Sequence, residues 1–245
     1  MVKTSPIDSD LAFPRPLCSV DVVIFGIVED RLQVLLVQRA AASGEPFPGR
    51  WALPGGFVDV ARDRDLDVTA KRKLQEKTGV SSPYLEQLGS WGDAIRDPRD
   101  WSVTHAYFAL IPTEGLALTA GKNASDVAWF PIDGDGVKPK LAFDHARILA
   151  AAVQRLRGKV EYTSLPLYLL PAEFTLSELQ RVYEIILGRK LDKSAFRTRT
   201  LAADIVAPSP RQRGGANRPA QLFRAKRREI GYFPRPFEPR RKPAR

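Results

Sequence analysis

Three ionisable residues in the first half of the chain, Lys73, Glu76 and Lys77, have the spacing of one helical face. Side chains at positions i, i+3 and i+4 project together from the same side of a helix. Three carboxylates there would form a magnesium site, because hard cations take several oxygen ligands. Only Glu76 supplies a carboxylate, and each ammonium group would repel a bound cation by roughly 1 to 4 kcal/mol at about 4 Å. Metal-assisted hydrolysis is therefore disfavoured, and the lysines either bind an anion directly or form a solvated basic surface.

The element that positions this face is a predicted helix that follows a strand and a polar loop. Apolar spacing favours a helix over residues 66–78, which Asp65 or Asp67 can cap and Gly79 can end. Residues 51–57, which include a glycine pair, favour a single strand before the loop. The sequence thus predicts a strand, loop and helix unit around the charged face.

The remaining apolar runs of this half predict a mixed sheet between helices. Residues 20–29 and 32–39 favour a β-hairpin with its turn at Asp30 and Arg31. Further strands are predicted over residues 102–112 and 126–132, and a helix over residues 141–156.

The stretch from Leu53 to Val80 resembles the Nudix box, the signature of hydrolases that cleave nucleoside diphosphates linked to another group. Aligned back from the helix-ending glycine, the kept positions are Arg72, Leu74, Glu76, Gly79 and Val80. The magnesium-binding glutamates of the enzymes are replaced here by Arg64, Lys73 and Lys77, and the loop back to Gly56 is about two residues longer than the pattern. The resemblance implies a Nudix fold that has lost its hydrolase chemistry.

Positive charge is concentrated in the last third of the chain. Residues 1–158 contain 19 Lys and Arg and 20 Asp and Glu, a net charge of −1, whereas residues 159–245 contain 19 and 8, a net charge of +11. Residues 226–245 hold +6 of that excess, and the rest lies in segments with the pattern of folded elements. This distribution fits a near-neutral regulatory domain followed by a basic nucleic-acid-binding domain.

Composition predicts a soluble, cytoplasmic protein with room for two domains. The chain has 245 residues, of which 44% are hydrophobic. Its single cysteine, Cys18, permits no internal disulfide and fits a reducing compartment. The first residues lack the apolar core of a secretory signal, and the apolar run at residues 20–28 is too short to span a bilayer. Neither export nor a membrane partner is expected.

A helix-turn-helix followed by a basic hairpin is predicted in the last third. Thr175 and Glu178 form a capping-box pattern for a helix that ends at Gly188. Asp192 can cap a second helix, in which Phe196 is the expected buried anchor. Two short β segments then flank an arginine- and glycine-rich tip, which completes the order of a winged helix-turn-helix.

Contacts with double-stranded DNA are expected from both the second helix and the hairpin. The candidates are Lys193, Ser194, Arg197, Arg199 and Thr200 on the helix, and Arg211, Arg213, Arg218 and Arg224 on the hairpin. Lys193, Arg197 and Thr200 are expected to share a face that meets base edges. Arg199 is expected to hold a phosphate instead. The alternative is a protein-binding winged helix with solvated arginines.

The order of a degenerate Nudix domain and this helix-turn-helix resembles the Nudix-related transcriptional regulators of the NrtR type, over residues 18–225. The implied fold class is α/β: a Nudix α/β/α sandwich with a mixed sheet, followed by a C-terminal winged helix-turn-helix domain. The predicted limits are 1–17 for a flexible N-terminus, 18–158 for the Nudix-like domain, 159–172 for a packed connector, 173–225 for the winged helix and 226–245 for a basic tail. The resemblance also implies a homodimer that binds a palindromic operator, represses genes of NAD biosynthesis or salvage, and responds to ADP-ribose or a related nucleotide.

A nucleotide ligand would require cationic or amide groups for its phosphates and an aromatic ring for its base. The phosphate candidates are Arg39, Gly55, Gly56, Lys73 and Lys77, and the stacking candidates are Trp51 and Phe57. No catalytic residue, metal or cofactor is expected. Two alternatives stay open: an ADP-ribose pyrophosphatase with an accessory basic domain, and a related Nudix regulator that binds a sugar or a sugar phosphate.

Overall fold

The structure, a computed structural model, describes residues 15–41, 45–78, 84–116, 118, 124–214, 219–226, 229–234 and 237, and only the backbone of residues 77 and 78. The strands are β1 (Leu17–Val28), β2 (Arg31–Arg39), β3 (Trp51–Ala52), β4 (Gly55–Phe57), β5 (Tyr84–Asp93), β6 (Ser102–Leu110), β7 (Ala124–Pro131), β8 (Val206–Arg213) and β9 (Ala220–Ala225). The helices are α1 (Leu66–Thr78), α2 (His145–Val160), α3 (Leu176–Leu187) and α4 (Lys193–Ala202), with a 3-10 helix at Leu165–Leu169. None of the helices in the described ranges is long and apolar enough to cross a membrane.

The centre of the larger sheet is the parallel pair β1 and β6. The strand order is β3-β2-β1-β6-β5, with the other neighbours antiparallel, while β4 pairs with β1 and β7 with β2. Alternate residues of β1 face opposite sides of the sheet. Val22 and Ile24 pack in the cluster that contains α1, whereas Val23 and Phe25 pack in the cluster that contains α2. The predicted α/β/α sandwich with a mixed sheet is confirmed.

The hairpin of β1 and β2 turns at Glu29 and Asp30, one residue earlier than the sequence suggested. Val28 pairs with Arg31, which is therefore the first residue of β2. Both turn residues have positive φ, 49° and 57°, as in a two-residue turn whose twist matches that of the strands. The prediction at Asp30 and Arg31 was wrong because it followed the ends of the apolar runs and counted Glu29 in the first strand, whereas strand pairing fixes the register.

Residues 51–57 form two short strands instead of the single predicted strand. β3 pairs with β2 and β4 pairs with β1, so the chain changes partner at Leu53 and Pro54. Pro54 has no N–H to donate to a ladder. Gly56 adopts a φ of 151°, a conformation that side chains disfavour. The bend brings Gly55 and Gly56 against β1, where they form part of a cavity wall.

The N-terminus of α1 is capped by one of the two predicted aspartates. The Asp65 carboxylate accepts a hydrogen bond from the Val68 N–H at 2.8 Å, so Asp65 and not Asp67 is the cap. The predicted helix end at Gly79 lies outside the described residues.

The helices of the winged part begin and end at the predicted residues. Thr175 accepts a hydrogen bond from the Glu178 N–H at 3.1 Å, and the Glu178 carboxylate accepts one from the Thr175 N–H at 2.7 Å. Gly188 has the left-handed φ of 66° that ends α3. Asp192 accepts from the Ala195 N–H at 2.8 Å at the start of α4. The predicted capping box and both caps are confirmed.

A packed connector joins the two parts of the chain. Leu165 and Leu169 of the 3-10 helix are buried. Tyr183 of α3 is fully buried and donates its hydroxyl to the Thr163 carbonyl at 2.7 Å. One apolar cluster extends from the α2 side of the sheet through the connector into α3 and α4. Helix α4 is therefore connected to the sheet through a continuous apolar core.

Residues 229–234 and 237, named here the C-terminal strap, pack against the fold. Phe233 and Phe237 are buried. The Phe233 N–H donates to the Tyr162 carbonyl at 2.7 Å, and the Phe237 N–H donates to the Glu161 carbonyl at 3.3 Å. The sequence assigned these residues to a basic tail because arginines and lysines dominate residues 226–245, yet two aromatic side chains complete a core.

Candidate functional site

A cavity of about 460 Å³ opens at one end of β1. Its lining residues are Ser19, Asp21, Val37, Arg39, Ala40, Glu45, Ala52, Leu53, Gly55, Gly56, Phe57, Lys73, Arg96, Asp97, Arg99, Ala124, Phe143 and His145. Of the predicted ligand residues, Arg39, Gly55, Gly56, Phe57 and Lys73 lie in this wall. The cavity therefore joins predicted residues from three separate segments.

The floor of the cavity is a buried polar network around Asp21. Thr104 donates its hydroxyl to the Asp21 carboxylate at 2.8 Å, and the Leu53 N–H donates to His145 Nδ1 at 2.9 Å. His145 therefore carries its proton on Nε2, which lies 3.6 Å from Asp21 Oδ2. Burial by itself would raise the pKa of Asp21, but the interaction with His145, the hydrogen bond from Thr104 and the Arg96 charge lower it. The floor is a preformed anionic group.

Arg96 connects this floor to the start of α2. Its guanidinium donates to both carboxylate oxygens of Asp144 at 3.2 and 2.8 Å and to the Ser102 hydroxyl at 3.2 Å. Only 4% of the Arg96 side chain is exposed. Bidentate pairs of this kind fix the orientation of both partners, so the residues before α2 have a defined position at the cavity.

The two glycines let the wall approach the floor and Lys73. A Cβ atom at Gly55 would lie 2.1 Å from Asp21 Oδ1 and 2.5 Å from the Val20 carbonyl oxygen, so a side chain has no space there. A Cβ at Gly56 would lie 3.1 Å from Lys73 Nζ. The ε-amino group of Lys73 therefore lies close to the backbone at Gly56.

The charged face of α1 around Lys73 and Glu76 is engaged in ion pairs. Arg72 donates to Glu76 at 3.0 Å and also to Asp63, while Lys73 Nζ lies 4.0 Å from Glu76. Burial, and then the nearby Arg72 charge, lower the pKa of Lys73. Arg64 is exposed and pairs with the neighbouring aspartate. The Lys77 side chain lies outside the described residues. Within the described part of the chain, no group of three His, Cys, Asp or Glu side chains has the arrangement of a metal site.

The Arg72–Asp63 pair anchors the loop before α1. Hydrogen bonds from Arg72 hold the pKa of Asp63 well below its usual range. The unfolded chain therefore binds a proton more readily at this carboxylate than the folded protein does. The stabilisation is fully present above about pH 4 and is lost as the pH falls toward the lowered folded value.

The Asp63→Asn variant should lose about 1.5 to 3 kcal/mol in its free energy of unfolding at pH 7, because a charged hydrogen-bond acceptor is removed. The difference from the unmodified protein should be smaller at pH 3 than at pH 7, because at pH 3 the unfolded chain already binds a proton at this carboxylate while the folded protein does not. Urea unfolding at both pH values measures it. Asp133→Asn, at an exposed position after β7, is the matched control. An equal loss at both pH values would contradict the ion-pair assignment.

Trp51 lies away from the cavity, which corrects its prediction as a stacking residue. Its ring packs edge-on against Phe130, with centroids 4.6 Å apart, and joins the core on the α2 side of the sheet. Successive residues of a strand face opposite sides. The next residue, Ala52, therefore lines the cavity. Phe57 remains as a predicted aromatic in the wall and is 41% exposed.

Sequence reasoning missed several residues of this cavity. They are Asp21, Arg96, Arg99, Phe143 and His145. Asp21 carried a usable signal, because a carboxylate within an otherwise apolar strand requires a polar partner when it is buried. The other four lie in loops or at a helix start, and only the tertiary fold brings them to β1.

The exposed face of α4 differs from the predicted face in a single residue. Lys193, Ser194, Arg197 and Thr198 are exposed, whereas Thr200 is fully buried. Thr200 follows Phe196 by one helical turn, and Phe196 packs inward. The prediction that Thr200 meets a base edge was therefore wrong, and Thr198 takes its place on the outer face.

Arg199 supports α4 from behind and is not placed to hold a phosphate. Its guanidinium lies over the rings of Phe237 and Phe233, 4.4 and 5.3 Å from their centroids. A cation over aromatic faces is attracted by about 0.5 to 2 kcal/mol. The predicted phosphate contact at Arg199 is corrected: this residue joins α4 to the C-terminal strap.

The arginines of the hairpin lie beside the start of α3. Arg211 pairs with Glu173 at 3.4 Å, and Arg213 pairs with Glu178. Arg224 is exposed on β9. The predicted contact at Arg218 lies outside the described residues. Exposed ion pairs are worth about 0 to 1 kcal/mol, so these arginines can exchange a carboxylate for another anion.

Comparison with known proteins gives the same two parts. Residues 19–152 match the NUDIX domain model, and residues 166–225 match the model of the NrtR DNA-binding winged helix domain. The ADPR responsive transcriptional repressor NtrR of Acinetobacter baylyi is 45% identical over 227 residues, which cover 92% of this chain and 89% of the relative.

Two solved structures of NrtR from Shewanella oneidensis are similar to this chain. The crystal structure of that protein complexed with a 27mer DNA has a TM-score of 0.80 and 40% identity, and covers 90% of this chain and 99% of its own. The cocrystal structure of its NUDIX domain with ADP ribose has a TM-score of 0.54 and 45% identity, and covers 59% of this chain and 91% of its own.

Proposed function

Since the chain belongs to the Nudix-related transcriptional regulators of the NrtR type, we propose that it is a DNA-binding repressor whose Nudix domain senses ADP-ribose. The NAD biosynthesis and salvage genes are its expected targets. It acts as a homodimer on a palindromic operator, with one α4 helix in each half-site. The Nudix-like domain comprises residues 18–158, the connector 159–172 and the winged helix 173–225, to which the C-terminal strap adds its aromatic residues.

The proposal rests on the presence of a ligand-sized cavity and an exposed cationic helix in one packed chain. The cavity wall supplies glycines and Lys73 for phosphate groups, and its floor supplies the Asp21 carboxylate for hydroxyl groups. On α4, Lys193 and Arg197 are exposed on one face. Arginine and lysine on such a face suit guanine edges in a major groove.

A signal between the two sites has a continuous structural route. α2 begins at His145 in the cavity wall and ends beside Glu161, whose carbonyl accepts the Phe237 N–H. Phe237 in turn packs under Arg199 of α4. Coupling between two ligand sites typically amounts to about 1 to 3 kcal/mol, which is 5- to 150-fold in affinity.

We infer that the domain lacks hydrolase activity, and the ion pairs of α1 support this inference. The remaining Nudix glutamate, Glu76, is paired with Arg72, and Lys73 lies where the enzymes of the family have a glutamate. A magnesium ion at this face would meet an ammonium group instead of three carboxylates. We infer that the domain binds its nucleotide without cleaving it and that Lys73 contacts the phosphates.

The test is a titration of fluorescent DNA from the protein's own upstream region, with and without ADP-ribose, while ADP-ribose breakdown in magnesium is followed. We expect specific, salt-sensitive DNA binding that ADP-ribose shifts about 5- to 150-fold while the nucleotide stays intact. The same titration with ribose 5-phosphate in place of ADP-ribose tests the alternative that the protein senses a sugar phosphate. A shift in DNA binding by ribose 5-phosphate and not by ADP-ribose would favour that alternative. Turnover of ADP-ribose without a specific DNA complex would overturn the proposal in favour of a hydrolase.

A further inference from the structure

Two arginines at the mouth of the cavity converge on one carboxylate of the chain itself. Arg39 Nη2 lies 2.8 Å from Glu45 Oε2, and Arg99 Nη1 lies 3.8 Å from the same oxygen. All three residues line the cavity. Arg39 is on β2, whereas Arg99 is in the loop between β5 and β6, so the fold brings the two guanidinium groups together around an anion.

Each arginine has further partners that keep it in place without Glu45. Arg39 donates from Nε to the Pro46 carbonyl at 2.7 Å and lies over the Phe143 ring, 4.9 Å from its centroid. The chain thus defines the position of the first guanidinium through a backbone acceptor and an aromatic face.

The second guanidinium is fixed in the same manner. Arg99 donates to the two Asp97 oxygens at 3.0 and 2.8 Å, and it lies over the Phe57 ring, 4.9 Å from its centroid. Asp97 is buried, and although burial raises its pKa, the hydrogen bonds and charge of Arg99 lower it. The two guanidinium groups, of Arg39 and Arg99, are therefore preorganised to bind an anion that carries more than one oxygen.

Glu45 itself is held only loosely. About half of its side chain is exposed, at 48%, and its ion pairs are with these two arginines. An exposed ion pair of this type is worth about 0.2 to 1 kcal/mol. A phosphate group offers more charge and more acceptor oxygens than one carboxylate, so it can replace Glu45 on the arginine pair.

We propose that Arg39 and Arg99 form a diphosphate-binding subsite at the cavity mouth and that Glu45 is an internal anion which the diphosphate displaces. This inference rests on the proposed function, because it assigns part of the same cavity. The subsite takes the diphosphate of any nucleoside diphosphate, and the deeper floor around Asp21 then distinguishes among the attached groups. Glu45 lowers affinity for every diphosphate ligand alike.

Calorimetric titration of the Glu45→Gln protein with ADP-ribose, ADP and adenosine tests the inference. Both diphosphates should bind about 1.5- to 5-fold more tightly than to the unmodified protein, in line with the value of an exposed ion pair, and the effect should shrink at high salt. Adenosine binding should not change. Glu114→Gln, at an exposed turn after β6, is the matched control and should bind all three as the unmodified protein does.

The Arg99→Gln protein should bind ADP and ADP-ribose more weakly, and adding Glu45→Gln to it should give a smaller gain than in the unmodified background. Unchanged or weaker diphosphate binding by Glu45→Gln would overturn the inference. If ADP binding tightens as expected while ADP-ribose fails to bind any of the proteins, the subsite stands and the proposed function falls.

Discussion

Replacement of Arg197 by alanine should lower the affinity of the protein for its operator by about 5- to 150-fold and relax discrimination at one base pair of each half-site. Arg197 lies one helical turn after Lys193 on the exposed face of α4, with Ser194 and Thr198 beside it. An arginine on such a face can bond to two acceptors of one guanine, and a contact of that kind is worth about 1 to 3 kcal/mol. Binding to operators with single-base changes, measured by anisotropy, gives both the affinity and the specificity.

The control for this prediction is Arg147→Ala, which removes the same side chain from an exposed position on α2. It should leave operator affinity within about twofold of the unmodified protein at constant salt, because it lies in the Nudix domain. An equal loss for both variants would indicate that net charge governs binding. Undiminished operator binding by the Arg197→Ala protein would remove α4 from the interface.

Replacement of Phe237 by alanine should lower the free energy of unfolding by about 3 to 5 kcal/mol, as for other large aromatic residues in a core. Phe237 is 4% exposed and contacts three other rings, those of Tyr183, Phe196 and Phe233, at centroid distances of 4.8, 5.3 and 4.8 Å. The Arg199 guanidinium lies on its face. Because these contacts support α4, operator affinity should fall together with stability. Urea unfolding and DNA titration of the same sample measure the two effects.

Tyr232→Ala provides a control within the same segment, because that side chain is 67% exposed. It should cost under about 1 kcal/mol. If Phe237→Ala were no less stable than Tyr232→Ala, the C-terminal strap would not be part of the core, and the prediction of a free basic tail would be restored. A large loss for Phe237→Ala alone would extend the winged helix domain beyond residue 225.

Short-range sequence patterns, which involve only a few neighbouring residues, were sufficient to predict much of this fold. The capping box of Thr175 and Glu178, the glycine at the end of α3 and the aspartate before α4 each predicted a helix boundary that the structure has. Each is a hydrogen bond or a backbone preference within one helical turn, so the sequence contains both partners of the interaction. The strand β5 was missed because Gln87 and Gly89 flank a register shift, which breaks the alternation that identifies a strand.

The Nudix resemblance also came from a local pattern, because its motif occupies one loop and one helix. It gave the fold class, and Lys73 and Glu76 as neighbours on one face. The residues that complete the cavity came from elsewhere: Leu53 and His145, which are hydrogen-bonded, are 92 positions apart. No window of sequence contains both.

The sequence by itself thus determined the helices, most strands, the family resemblance and the basic character of α4. Only the tertiary structure decided that Trp51 faces the core, that Thr200 is buried, and that Arg199 contacts the strap instead of a phosphate. The physical reason is that burial depends on which surface of an element meets another. A charged or aromatic residue has the same local propensity whether its partner is solvent, DNA or a ring from a distant segment.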